Sequence, residues 1–129
     1  MKILQGIDLV KVDRMERTVR RSGKVFLDRT FSREEQAYCR SKRHCHEHYA
    51  ARFAAKQALL KAVRQPPATW RRLSGIEVRR LPTGKPYLEL SDEARRRCRV
   101  SAGTQIELSL AHEREYAIAT VVVVVPSKK

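Results

Sequence analysis

The sequence predicts an α+β domain with its strands mostly late in the chain. Three observations lead there. A long central stretch from about His46 to Val63 has no proline or glycine and keeps helical spacing. Two later stretches, Gly75–Leu90 and Gln105–Val125, each read as paired extended runs around a turn. The longest apolar run, Tyr116 to Val125, is rich in β-branched residues and about half as long as a membrane-spanning helix must be, so it reads as a strand.

Each element has its own local signal. Ile3 to Val10 has the aliphatic, β-branched character of a strand, and Val12, Met15 and Val19 then fall at helical spacing. In "FSREEQAYC", Ser32 is a helix N-cap with acidic residues in the first turn, which favours a short helix. Pro66 and Pro67 should end the central helix. The "PTG" turn signal then joins two short extended runs, and Ser91 caps a short helix with Asp92 and Glu93 beside its dipole. The polar turn "AHERE" joins the last two strands as a second hairpin. No repeat or low-complexity linker marks a boundary, so residues 1–129 are taken as one domain.

Charge points to the class of partner. Twenty-eight Lys and Arg against fourteen Asp and Glu give a formal charge of +14, which calls for an anionic partner without choosing among nucleic acid, membrane surface, phosphorylated metabolite and acidic protein. The basic runs "EARRRCR" and "TVRRSGK" lack interleaved aromatics, so a basic nucleic-acid-binding module is a weaker alternative. Cys39, Cys45 and Cys98 lack paired zinc spacing, and the N-terminus has no signal-peptide pattern; a reducing cytoplasm and no membrane insertion are the expectations. His44, Cys45, His46 and His48 are too closely bunched to be diagnostic of metal and read as a solvated helix start.

Two places suggest a site. Phe53, Gln57 and Lys61 share one face of the central helix, while Arg52 and Lys56 form an adjacent row. Asp8 shares a strand face with Leu4, Gly6 and Val10, so its carboxylate needs a metal ion, an arginine or a backbone amide for compensation, unless it caps the next helix.

Five segments, "GIDLVKVDRMER", "FSREEQAYC", "RFAAKQALLKA", "TGKPYLEL" and "LSLAHEREYAIATVVV", occur in an order and at spacings that resemble holo-[acyl carrier protein] synthase, the 4'-phosphopantetheinyl transferase family. The resemblance spans nearly the whole chain. It implies a fold of antiparallel strands packed by helices, a homotrimer with active sites between subunits, and Mg²⁺ as cofactor. It implies transfer of the 4'-phosphopantetheine arm of coenzyme A to a serine of an acidic acyl carrier protein. A relative of the same fold that binds coenzyme A or carrier with little transfer is the alternative.

By the same resemblance Asp8 matches a metal-binding aspartate, and Lys61 a lysine that assists at the reacting phosphate. Coenzyme A contacts are implied for Arg52, Lys56, Lys61, Gly84, Pro86 and His112, and carrier contacts for Arg14, Arg17, Arg20 and Arg21. Three departures stand out. Gln57 occupies the place of a glutamate metal ligand, Lys11 stands where an acidic residue is usual, and "RQPPATW" replaces a glycine-rich segment. The first two make the expected metal site, Asp8 with Gln57, more positive.

Overall fold

In the computed structural model, which describes residues 1–127, strand β1 (Lys2–Lys11) runs directly into helix α1 (Val12–Thr30), which kinks at Gly23. Helices α2 (Arg33–Arg40) and α3 (Cys45–Ala62) follow, then a short 3-10 turn at Pro67–Thr69, strands β2 (Ile76–Arg80) and β3 (Pro86–Leu90), helix α4 (Asp92–Cys98), and strands β4 (Gln105–His112) and β5 (Tyr116–Val125). Ser32 caps α2 in a full capping box with Glu35, and the Ser91 hydroxyl accepts from the Ala94 amide at the start of α4.

Both expected hairpins form, as the antiparallel pairs β2–β3 and β4–β5. The first strand does not stand apart from them: β1 pairs antiparallel with β5, giving a three-stranded sheet in the order β1-β5-β4. Asp8 lies opposite Ala119, and Val10 opposite Ala117.

Helix α3 packs across this sheet and is buried on most sides, taking Arg52 and Lys56 into the interior along with its alanines and leucines. Ala51, Ala54, Ala55, Ala58 and Ala62 are small enough to bring its backbone close to β1. Gly6 is required at the crossing, because a Cβ there would lie 1.9 Å from the Ala58 carbonyl oxygen. That close approach holds Lys61 beside Asp8.

Helix α3 stops before the prolines expected to end it. Arg64 takes a left-handed conformation (φ 59°), while Gln65 N–H donates to Leu60 O at 2.9 Å and Arg64 N–H to Lys61 O at 3.2 Å. This is a Schellman cap with arginine in the position that favours glycine. Pro66 and Pro67 begin the next turn.

On β5, Val121 and Val123 are buried beneath α3. Val122 and Val124 belong to the opposite face, where cross-strand register puts Ile3 beside Val124 and Leu9 beside Ile118. Ile3, Ile7 and Leu9 there are 55%, 55% and 59% exposed, an apolar sheet face without cover in the single chain.

Candidate functional site

The ammonium of Lys61 donates to Asp8 Oδ1 at 2.8 Å and to the Ile7 carbonyl at 2.9 Å. The charge that compensates Asp8 is thus a lysine, not an arginine or a backbone amide. Nor does Asp8 cap the following helix, since Lys11 is the N-cap residue of α1 and no side chain caps it. Lys61 has three N–H donors, so one is left over for a ligand.

Asp8 and Gln57 line a common cavity of about 490 Å³, with Lys11 and Arg14 on its polar side and Leu9, Val10, Phe53 and Tyr116 giving apolar surface. Helix spacing puts Gln57 one turn before Lys61, which is why both reach the region of Asp8. Neither Lys11 nor Arg14 has an ion-pair partner among the described residues.

A second group of polar residues lies toward the other end of α3. The His112 ring nitrogen Nδ1 and Glu47 Oε1 are 3.0 Å apart, and the His48 ring meets that of His112 edge-on with centroids 4.8 Å apart. Burial pushes the His48 imidazole down to about 4, and the neighbouring His112 and Arg52 add to the effect. Its Nδ1 is buried without a protein partner. Tyr38 joins this group, taking the His48 ring on its edge and the Arg52 guanidinium over its face at 4.2 Å.

Arg52 and Lys56, the row adjacent to Gln57 and Lys61, point into the protein. Arg52 is 2% exposed, donates to the His48 carbonyl at 3.3 Å, and lines a cavity of about 440 Å³ with Tyr38, Arg80 and Tyr87. Lys56 is fully buried, and its ammonium donates to Glu35 Oε1 at 2.7 Å, Leu73 O at 3.1 Å and Ile76 O. Burial lowers its pKa and the Glu35 carboxylate offsets part of that. Lys56, expected to contact coenzyme A, has all three of its donors engaged in the core of the single chain.

Gly84 sits in the β2–β3 turn, accepting from Arg80 at 2.8 Å, and Pro86 begins β3. Lys85 ties this hairpin to Glu107 of β4 at 3.1 Å. Arg80 also lies over the Tyr38 ring, so the hairpin belongs with Arg52, His48 and His112 rather than with Asp8. The contacts expected around coenzyme A are thus divided. Glu47, which holds His112, and Lys61, which holds Asp8, are fourteen residues apart in α3, or about 21 Å of helix rise.

On α1, Arg17 pairs with Asp13 at 3.4 Å and Arg20 with Glu16 at 2.8 Å. Arg14 and Arg21 have no acidic partner among the described residues and fall one above the other at i, i+7. Nothing in the sequence points to Glu47 or Tyr38, and His48, read there as part of a solvated helix start, instead has its Nδ1 buried. A usable signal was present for one of them: His48, Arg52 and Lys56 form a single i, i+4, i+8 row, which continues one turn before the pair that drew attention.

The family model of the 4'-phosphopantetheinyl transferase superfamily matches residues 5–121. Holo-[acyl-carrier-protein] synthase of Koribacter versatilis is 37% identical over 120 residues, covering 91% of this chain and 94% of the relative. That of Halothermothrix orenii is 39% identical over 119 residues, covering 91% and 93%. The fold matches that of the Chronobacterium ammoniagenes enzyme in its coenzyme A complex with a TM-score of 0.84 at 28% identity, covering 98% and 100% of the two chains. It matches that of the Helicobacter pylori synthase in complex with coenzyme A with a TM-score of 0.80 at 30% identity, covering 94% and 100%. Two groups at opposite ends of a buried helix, on a fold shared nearly end to end with these proteins, make the chain a member of the 4'-phosphopantetheinyl transferase superfamily and of its holo-[acyl-carrier-protein] synthase family.

Proposed function

We propose that the chain transfers the 4'-phosphopantetheine arm of coenzyme A to a serine of an acidic apo acyl carrier protein and releases adenosine 3',5'-bisphosphate. The observation that carries this is the Asp8–Lys61 pair, with a donor of Lys61 left over, in a chain whose fold matches coenzyme A complexes over almost its whole length. Lys61 would hold the pantetheine phosphate and offset its developing charge, and Asp8 would fix the ammonium in place. At the other end of α3, Arg52 and His112, steadied by Tyr38 and Glu47, would meet the nucleotide together with the Gly84–Pro86 hairpin.

The family resemblance implies magnesium, so the donor set has to be tested against it. Magnesium takes about six oxygen ligands in octahedral geometry and favours carboxylates. This cavity offers the Asp8 carboxylate, already engaged by Lys61, and the neutral amide of Gln57, with Lys11 and Arg14 beside them. No cluster of three or more acidic, histidine or cysteine side chains suited to a metal occurs among the described residues. These residues do not fit a resident divalent cation.

The division of the site along α3 and the uncovered apolar sheet face both favour assembly, with the Asp8 end of one subunit meeting the His112 end of another. A homotrimer is the state we assign, by family resemblance. Arg21, which does not line the Asp8 cavity, would take the carrier, and the positive charge then needs no nucleic acid to account for it. Three unpaired cysteines suit a cytoplasmic setting, and no described helix is long and apolar enough to cross a membrane. The test is incubation with coenzyme A and apo carrier, read by mass spectrometry as a phosphopantetheine added to the carrier serine. Coenzyme A binding without transfer would make the chain a non-catalytic relative.

A further inference from the structure

The surroundings of Asp8 carry more cationic than anionic charge. Lys61 is already oriented by Asp8 and the Ile7 carbonyl, with one donor left over. Lys11 and Arg14 line the cavity of Asp8, the residue that Lys61 holds, and have no acidic partner among the described residues. Gln57 adds an amide that can donate to a phosphate as readily as accept from a donor. Lys61 neutralises Asp8, and the two further cations, Lys11 and Arg14, leave the cavity net positive, which disfavours Mg²⁺ and attracts a pyrophosphate. The Phe53 and Tyr116 side of the cavity suits the uncharged part of the same ligand.

We infer that this chain grips the pyrophosphate of its substrate directly through Lys11, Arg14 and Lys61, these side chains taking the part of a divalent cation, so that binding is independent of metal. The inference rests on the transfer reading for the identity of the substrate. In the reaction the serine oxygen of the carrier forms a bond to the pantetheine phosphorus. The bond from that phosphorus to the bridging oxygen breaks, the electron pair leaves with adenosine 3',5'-bisphosphate, and the serine proton passes to water. Charge builds on the bridging oxygen and the transferred phosphoryl group, and ammonium and guanidinium groups can stabilise it there.

Isothermal titration of the full chain with coenzyme A, and separately with inorganic pyrophosphate, would be run in EDTA and then in excess Mg²⁺. Both probes should bind in EDTA, with affinities within about threefold of those in Mg²⁺, a difference of no more than about 0.65 kcal/mol. Lys11→Glu, an exposed change that spares the core, should weaken both probes in EDTA by about tenfold or more, as loss of a charge-assisted contact does. Gln57→Glu should do the same and should in addition bind Mn²⁺ measurably by electron paramagnetic resonance. Binding that appears only with Mg²⁺, Mn²⁺ held by the unsubstituted chain without substrate, or no binding of either probe would each overturn the inference. If binding requires Mg²⁺ but the carrier is still modified, the transfer reading stands and only the metal-free grip fails. If both probes bind in EDTA and no carrier is ever modified, the grip stands and the transfer reading fails.

Discussion

The carboxylate of Glu35 and the ammonium of Lys56 meet at 2.7 Å with neither side chain exposed. Glu35 also accepts the Ser32 amide at 2.9 Å and the Val78 amide at 2.9 Å. One ion pair therefore ties the start of α2, the middle of α3 and strand β2 together, beneath the cavity lined by Arg52. Removing only the cation leaves a buried carboxylate uncompensated. Lys56→Met should lower unfolding stability by about 3–5 kcal/mol in urea titration, and adding Glu35→Gln should restore part of it. A loss below about 1 kcal/mol would mean that water takes the place of the ammonium.

At the end of α3, Arg64 supplies the left-handed residue of the Schellman cap. A side chain in that conformation is strained, whereas glycine is not, although glycine gives up more freedom on folding. Arg64→Gly should raise stability by about 0.5–1 kcal/mol. Calorimetry checks it, and a lower melting temperature would show that the arginine side chain makes contacts worth more than the strain.

Most local structure was legible in the sequence because its signals are local. Ser32 and Ser91 announced their helices, and the alternation around Asp8 put it on the inner face. The β1–β5 pairing was not legible, since nothing in "ILQGIDLV" states which strand it will meet. The inward turn of Lys56 was hidden for a related reason: its partner Glu35 lies 21 residues away and reads locally as a helix-capping acid. The resemblance gave the family from five ordered segments, but a lysine matched by position says nothing of the direction in which its ammonium points.

The uncovered sheet face should be a subunit contact. Ile3, Ile7 and Leu9 of β1 share this face with Ile118, Val122 and Val124 of β5, interrupted only by Gln5 and Thr120. Light scattering should give three times the chain mass, and Ile7→Glu should shift the population to monomer while leaving circular dichroism unchanged. Transfer should fall in the same variant, since the Asp8 and His112 ends would no longer meet. A monomeric wild type would refute the assembly and, with it, a site shared between chains.

Arg21 lies far enough along α1 from Lys11 to separate carrier from substrate. Arg21→Glu should weaken carrier binding by about tenfold or more at low ionic strength, with coenzyme A affinity unchanged. Added salt should weaken the unsubstituted complex and narrow the gap, because exposed charges are screened. Equal losses for both ligands in titration calorimetry would point to damage to the fold and remove α1 as the carrier surface.

His48 makes the Tyr38–His112 end of the molecule sensitive to acid. It is packed among Tyr38, His112 and Arg52, with Glu47 adjacent and Lys42 nearby, and its imidazole stays neutral down to about 4 against an ordinary value of 6.5. Between these two values the unfolded chain binds a proton that the folded chain does not, so the folded state loses stability as the pH falls through that window. Below the folded value this source adds no further loss. Replacing the imidazole by a side chain that does not titrate removes the term, so the urea midpoint of His48→Gln should fall less between about pH 7.5 and pH 5 than that of the unsubstituted chain. The comparison isolates His48 from the carboxylates, which titrate in both proteins. If the two midpoints fall in parallel, His48 is protonated in the folded chain and its ring must find an acceptor there, which the present packing against His112 does not offer.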